Sequence, residues 1–454
     1  MEVSRLEEKR FSVIGAARSG VAVARLLKSH GARVFLSEMA PAEKMQQART
    51  ELEQADIQYE FGGNSERILE SEVIVLSPGV PSDAPLVAGA AAKGLRIVSE
   101  IEVASWFCPA PILAVTGTNG KTTTTTLLGR IFDDAKRDSV VAGNIGIAFS
   151  QVVGTLTDRS TAILEVSSFQ LDFVETFRPR VAILLNITPD HLDRYNHSFD
   201  NYAAAKCKVF RNQEMGDTLV YNWDDPVTRS SVEKFIRPSV RKLPFSTRKQ
   251  LAEGARLVNG HVCIRMNGEE SDVIAAREIS IKGEHNMYNA MAAALASKAM
   301  GVPTPSLRAT LKNFKGVEHR LEFVRDVNGI SYVNDSKATN VDSVWYALQS
   351  FDRPIIVMLG GRDKGNDYSA LVELVRRNVK AVVAIGESAD KVVWAFTPIV
   401  HVSKAKSMEE AVHTAAGLAS AGDVVLLSPA CASFDWFENY EHRGRAFKQI
   451  VATL

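Results

Sequence analysis

The sequence predicts an α/β protein of about three units, each a mostly parallel sheet under helical cover. Three observations carry that expectation. Apolar runs of strand length alternate with helical patterns in three separate stretches, as parallel strands joined by crossover helices do. At 454 residues the chain exceeds one ordinary domain, and its length corresponds to roughly three. Between the first stretch and the second lies Cys108-Pro109-Ala110-Pro111, where proline disfavours regular structure on both sides.

The first stretch opens with a strand over 11–14, a turn from Gly15 to Gly20, a helix through Leu27 and a strand over 33–36. A further strand at 73–76 runs into Ser77-Pro78-Gly79-Val80-Pro81. Positions 15, 17 and 20 fall on the dinucleotide pattern G-x-G-x-x-G, and Glu38 stands about where a ribose-binding acid belongs. Position 17 is alanine, however, and the middle glycine is the one that lets backbone approach a pyrophosphate. A Rossmann-like unit for another nucleotide is therefore expected ahead of NAD binding, with a plain strand–helix turn as the alternative.

The second stretch carries the strongest chemical signal. Residues 113–122 read Leu-Ala-Val-Thr-Gly-Thr-Asn-Gly-Lys-Thr, a buried strand running into a turn that ends in Lys-Thr. Gly117 and Gly120 lack side chains, so amide N–H groups can close on phosphate oxygens. Lys121 can neutralise terminal phosphates, and the Thr122 hydroxyl can ligate magnesium. Leu127, Leu128, Ile131 and Phe132 predict a helix over 123–132 whose N-terminus faces the anion. The usual spacing, G-x-x-x-x-G-K-[ST], would put its first glycine at Val115, so this is a shortened variant. A plain turn is the alternative to nucleotide binding.

Two more strands, over 161–166 and 181–186, end in polar segments: Glu165 with Ser167-Ser168-Phe169-Gln170, and Thr188-Pro189-Asp190-His191-Leu192-Asp193-Arg194. Ligands of open α/β sheets bind just outside such carboxyl ends. A carboxylate on an apolar strand needs a partner, and magnesium shared by Glu165, Thr122 and phosphate would supply one. His191 reads either as a ligand or substrate contact or as an ordinary turn histidine. The third stretch has strands over 355–359, 381–385 and 424–427.

Composition bounds the rest. Lys+Arg and Asp+Glu both number 53, which gives no reason to expect a nucleic-acid or anionic-membrane partner. The 4 cysteines are scattered without a C-x-x-C pair, against a disulfide framework or zinc knuckle. The charged start, Glu2 to Arg10, is unlike a signal peptide, and no 18-residue apolar span occurs. A cytoplasmic protein is expected.

Taken together, Thr116-Gly-Thr-Asn-Gly-Lys-Thr122, Glu165-Val-Ser-Ser168, Asn186-Ile-Thr-Pro-Asp-His191, Glu284-His-Asn286 and His319-Arg320 resemble the Mur ligases of peptidoglycan synthesis. Asn334-Asp-Ser-Lys-Ala-Thr-Asn340, Gly360-Gly-Arg-Asp-Lys-Gly365 and Ser428-Pro-Ala-Cys-Ala-Ser433 are similar to the members that add D-glutamate. The Asp-Asn-Pro-Arg motif of the diaminopimelate- or lysine-adding members is absent, and Asn119 stands where L-alanine-adding members usually have histidine.

The resemblance implies three domains: 1–99, Rossmann-like, for UDP; 100–316, with the P-loop, for ATP and magnesium; and 317–454, Rossmann-like, for D-glutamate. It implies an ATP-dependent amide ligase that extends UDP-N-acetylmuramoyl-L-alanine through an acyl phosphate, acting as a monomer. UDP-substrate contacts carry over to Arg18, Ser19, Glu38, Ser77, Gly79 and Asn144, with Glu38 in place of an expected aspartate. The ATP side carries over to Gly117, Thr118, Asn119, Gly120, Lys121, Thr122, Asn286, Asn289, Arg320 and Asp335. The D-glutamate side carries over to Asp190, His191, Lys337, Thr339, Lys364, Ser433 and Tyr440, the last in place of an expected phenylalanine. Catalytic roles fall on Lys121, Glu165, His191, Lys206, Arg320 and Lys337, with two magnesium ions near Thr122, Glu165, His191 and Lys206.

By composition, Ala203-Ala-Ala-Lys-Cys-Lys208 is an ordinary helix with two surface lysines. The resemblance alone implies that Lys206 is carbamylated and helps position the second metal. Two alternatives remain: a folylpolyglutamate synthase-like ligase and a nucleotide-binding regulator without turnover.

Overall fold

A computed structural model of the protein describes residues 6–7, 9–81, 84–144, 146–363 and 365–454, the side chains of Asp193 and Asp342 excepted. The chain divides into two compact units, Met1–Ile279 with Tyr288–Asn313, and Ser280–Met287 with Phe314–Leu454. Among the described residues the strands form three sheets, two in the first unit and one in the second.

The first sheet contains β1 (Arg10–Ile14), β2 (Arg33–Glu38), β3 (Gln58–Phe61), β4 (Val73–Leu76) and β5 (Arg96–Ser99), in the order β3-β2-β1-β4-β5. All its pairings are parallel. Strand order reverses between β1 and β4, which opens a crevice at their carboxyl ends.

The second sheet contains β6 (Ile112–Thr116), β7 (Val140–Gly143), β8 (Ala162–Glu165), β9 (Val181–Leu184), β10 (Thr218–Asn222), β11 (Arg241–Ser246), β12 (Gly254–Val258), β13 (His261–Met266) and β14 (Glu269–Ala275). Its order is β14-β13-β12-β11-β10-β9-β6-β8-β7, reversing between β6 and β9. Every residue of β6, β8 and β9 is buried, as expected of parallel strands covered on both faces. On one face Ile112, Ala114, Ala162, Leu164, Ala182 and Leu184 share a core with Phe149, Phe177, Tyr202 and Phe210.

The third sheet contains β15 (Glu322–Val327), β16 (Ile330–Asn334), β17 (Ile355–Gly360), β18 (Val379–Ile385), β19 (His401–Lys404) and β20 (Val424–Leu427), in the order β15-β16-β20-β17-β18-β19. Its pairings are parallel apart from β15 with β16.

The antiparallel strands β12 to β14 and β15 form no part of the sequence expectation, although their signal is present. Asn259-Gly260 joins β12 to β13, Asn267-Gly268 joins β13 to β14 and Asn328-Gly329 joins β15 to β16, with positive φ at both residues of each. That is the backbone of a two-residue hairpin whose twist matches its strands. The expected strands over 161–166 and 181–186 are shorter at their ends, because the residues beyond β8 and β9 turn onto neighbouring loops. Ser167 caps the next helix, Ser168–Asp172, and Asn186 bonds to the glycine-rich turn.

Glu102, on helix Glu100–Trp106, anchors the chain between the first two sheets. It is 0% exposed. Its Oε2 accepts from Glu175 N (3.0 Å) and Phe177 N (2.8 Å), and its Oε1 accepts from Thr176 N (2.9 Å) and Trp106 Nε1 (2.9 Å). Replacing Glu102 with alanine strands these buried donors, each costing about 1–3 kcal/mol. Denaturant titration should show Glu102→Ala destabilised by roughly 3 kcal/mol or more. A change below about 0.5 kcal/mol would mean that water replaces the carboxylate without loss.

Candidate active site

The crevice at the ends of β1 and β4 is a cavity of about 540 Å³ lined by Arg18, Ser19, Glu38, Ser77, Gly79 and Asn144. All six residues expected on the UDP side therefore meet in one place. Gly15 has φ +99, and a Cβ there would lie 2.9 Å from that of Ser77. Gly20 packs so tightly on the Gly15 carbonyl that any side chain would collide. Ala17 needs no such freedom: it is the extended residue preceding helix Arg18–Ser29. Glu38 also holds the turn, its Oε2 accepting from Ala16 N (2.6 Å) and its Oε1 from Ala40 N (2.8 Å).

At the other reversal point, β6 runs into the turn Gly117–Gly120 and helix Lys121–Asp134. Gly120 is left-handed at φ +85, and a Cβ on it would collide with Asn289 Oδ1. Asn186, just past β9, holds the turn from the side. Asn119 N donates to its Oδ1 (2.8 Å), and its Nδ2 donates to Asn119 O (3.1 Å). Thr118 Oγ1 donates to Thr188 O (3.0 Å) and lies 3.1 Å from the Tyr202 hydroxyl. Lys121 Nζ donates to Gly117 O (2.9 Å) and Thr118 O (2.7 Å). Thr122, the first residue after Lys121, is buried.

Lys206 overturns its composition reading: it is 2% exposed, while Lys208 is half-buried and bonds Asp172 O. Lys206 Nζ donates to Gly117 O (2.8 Å) and lies 4.6 Å from the centre of the Tyr202 ring. Burial, aided by the charge of Lys121, holds its pKa well below the usual lysine range.

Glu165, at the end of β8, is 2% exposed. Asn144 Nδ2 donates to its Oε1 (2.8 Å), but Oε2 has no hydrogen-bond partner among the described residues. A buried carboxylate oxygen without a donor is costly, and a divalent cation would satisfy it. With the hydroxyl of Thr122 beyond the paired strand β6 and His191 in the turn after β9, the donor set of oxygens and one imidazole fits magnesium. His191 sits at φ 52 with its ring edge-on to Phe169 at 5.0 Å, and its Nε2 is 3.6 Å from Asp190 Oδ2.

The second unit gathers its own set at the ends of β16 and β20. Asp335 is buried, accepts from Ser428 Oγ (2.8 Å) and Leu321 N (3.2 Å), and is pushed up to about 6 by burial against the pull of Arg320. Lys337 Nζ donates to the Tyr440 hydroxyl (3.3 Å), so the tyrosine found in place of phenylalanine is used. Ser433 is buried, Thr339 is half-buried, and Lys364 lies outside the described residues. Asn286 belongs to this unit and donates to Lys282 O (2.8 Å), whereas Asn289 belongs to the first unit. His285, between Glu284 and Asn286, is half-buried and pushed down to about 3 by desolvation and the charge of Arg320, so it is neutral.

Sequence reasoning assigned no role to Arg443, which is 1% exposed. It donates to Ser336 O (2.8 Å), Ser336 Oγ (3.0 Å) and Cys431 O (3.1 Å), pinning the Lys337 loop to the Ser433 loop. Asn186, Arg194 and Tyr202 were likewise unassigned, although the first two lie inside quoted motifs.

Fold and site thus define an α/β protein with a glycine-rich turn between strand and helix beside an unsatisfied buried carboxylate. Family models match nearly end to end: the Mur ligase MurD-like N-terminal domain over residues 9–99, the Mur ligase middle domain over 115–297, and the Mur ligase glutamate ligase domain over 319–431. The chain belongs to the Mur ligase family. It is 50% identical to the UDP-N-acetylmuramoylalanine--D-glutamate ligase of Salinibacter ruber and 44% identical to that of Chloroherpeton thalassium, each match covering 100% of both chains. The solved UDP-N-acetylmuramate-alanine ligase MurC of Thermotoga maritima superposes with a TM-score of 0.59 at 18% identity, over 98% of this chain and 99% of that one, which shows a shared fold.

The Asp335 carboxyl gives a pH test. Its folded pKa near 6 exceeds the ordinary value of about 3.9, so the folded state holds a proton that the unfolded state releases. This contribution is full below about pH 4 and lost as pH rises through about 6. Asp335→Asn should therefore lose less stability than wild type between those pH values in urea titrations. Parallel curves would mean that Asp335 is ionised throughout.

Proposed function

We propose that this protein is an ATP-dependent ligase that joins D-glutamate to UDP-N-acetylmuramoyl-L-alanine in peptidoglycan precursor synthesis. The observation that carries this reading is the end-to-end match, at half identity, to proteins of that name. The proposed domains are 1–99 for the nucleotide-sugar, 100–316 for ATP and 317–454 for D-glutamate. The protein works as a monomer in the cytoplasm; no helix of the described chain is long and apolar enough to cross a membrane.

The chemistry follows from charge. A carboxylate resists amide formation because oxide is a poor leaving group. Transfer of the γ-phosphoryl group of ATP to the L-alanyl carboxylate makes an acyl phosphate and releases ADP. The D-glutamate amine then attacks the acyl carbon, loses a proton, and expels phosphate. Gly117 to Thr122 cradle the phosphates, and Lys121 and Arg320 stabilise charge on the transferred group. Asn286, Asn289 and Asp335 hold the nucleotide side. Asp190 and His191 orient the reacting ends, while Lys337, Thr339, Lys364, Ser433 and Tyr440 receive the D-glutamate carboxylates. Two magnesium ions, held near Thr122, Glu165, His191 and Lys206, would supply Lewis-acid charge. Lys206 is suited to carbamylation: a neutral amine adds CO₂, releases a proton and becomes a carboxylate.

Phosphate release should require ATP, D-glutamate and UDP-N-acetylmuramoyl-L-alanine together. Release supported by a folate acceptor, or no turnover with all three present, would overturn the reading. In the same assay Lys206→Ala should fall by about 10²-fold or more, and added acetate should restore part of the rate. Full activity of that variant would remove Lys206 from the metal set.

A further inference from the structure

Arg194 lies three residues beyond His191, on the short helix Leu192–Tyr195. Its guanidinium donates to two successive carbonyls of another strand end, Pro78 O (3.3 Å) and Gly79 O (3.0 Å). Those carbonyls belong to the turn after β4, whose Ser77 and Gly79 line the nucleotide-sugar cavity. Arg194 itself stands behind that turn and is not part of the cavity lining. Its other face lies 4.2 Å from the centre of the Phe169 ring, the same ring that meets His191 edge-on at 5.0 Å. Phe169 in turn follows Glu165 by four residues, on helix Ser168–Asp172.

One guanidinium therefore ties three strand ends together: β4 through two carbonyls, β8 through Phe169, and β9 through its own turn. The turn is stiff where it is held. His191, Asn196 and His197 all have left-handed backbone, and Arg194 N donates to His191 O (3.1 Å).

We propose that Arg194 is a positioning residue that holds the nucleotide-sugar turn Ser77 to Pro81 in register with the His191 turn. The inference rests on the reading that the cavity takes UDP-N-acetylmuramoyl-L-alanine. Through this contact the acceptor carboxylate is presented to the phosphate loop, and ATP binding itself is untouched. Arginine suits the task because its planar fork serves two carbonyls while lying flat on a ring; lysine can satisfy one carbonyl and cannot stack in the same way.

The test is equilibrium binding by calorimetry, with UDP-N-acetylmuramoyl-L-alanine and a non-hydrolysable ATP analogue titrated separately into wild type, Arg194→Ala and Arg194→Lys. The alanine variant should bind the nucleotide-sugar roughly tenfold more weakly, since the turn is no longer preorganised. The lysine variant should fall between it and wild type. Affinity for the ATP analogue should stay within about twofold of wild type, and kcat should fall by up to about 10²-fold from misplaced reactants. Unchanged nucleotide-sugar affinity and kcat in Arg194→Ala would overturn the inference, and so would an equal loss of analogue binding, which marks general loosening. Wild type that fails to bind the nucleotide-sugar would overturn the functional reading itself.

Discussion

Two lysines share one carbonyl. Nζ of Lys121 and Nζ of Lys206 both donate to Gly117 O, one from the helix that follows the turn and one from helix Phe199–Cys207. Two positive charges at one buried acceptor repel, and burial lowers the pKa of the more enclosed amine. That group is Lys206, closed in by Tyr202. The arrangement depends on position 117 being glycine: at φ +155, a Cβ would lie 2.9 Å from that of Leu185. The turn and the meeting of the two lysines both depend on that carbonyl's direction.

The remaining chemistry collects where it does because of strand order. In both sheets of the first unit the order reverses beside a strand that ends in a glycine turn, β1 in one and β6 in the other. Helices leave on opposite faces at such points and open a crevice that side chains from neighbouring strand ends can fill. Asn144 shows the economy of this. It follows β7, lines the cavity at the ends of β1 and β4, and also holds Glu165 Oε1, so one amide borders two places.

What was legible in the sequence was what a residue type dictates locally. Gly15, Gly20, Gly117 and Gly120 each occupy a place where backbone or a neighbour leaves no room for a side chain, and their spacing carries that information. The Asn-Gly hairpins were legible in the same sense and were passed over. Lys206 was not legible, for a physical reason. Tyr202 and Lys206 share a helix face, but the three alanines between them carry no contrast in polarity to say which face turns inward. Arg194 and Arg443 were hidden differently: each bonds backbone carbonyls far away in sequence, and no side-chain pattern records which carbonyls a fold will bring near.

Arg443 also explains how the second unit keeps its strand ends positive. A buried guanidinium must be compensated, and here the carbonyls of Ser336 and Cys431 do so together with the carboxyls of Asp435 and Asp335. Desolvation lowers Arg443 to about 10, which leaves it charged at neutral pH. Because carbonyl dipoles carry no net charge, they hold the guanidinium without cancelling its field. Asp335 is itself pushed up to about 6 by burial, so at neutral pH it is mostly ionised and offsets part of that charge. Arg320 and Lys337 add their charges to the same end of the sheet. Lys337 is steered by the Tyr440 hydroxyl, which accepts from the ammonium and so keeps its own proton free to donate. Backbone carbonyls, a buried guanidinium and an ammonium steered by a tyrosine thus hold these strand ends in one fixed arrangement.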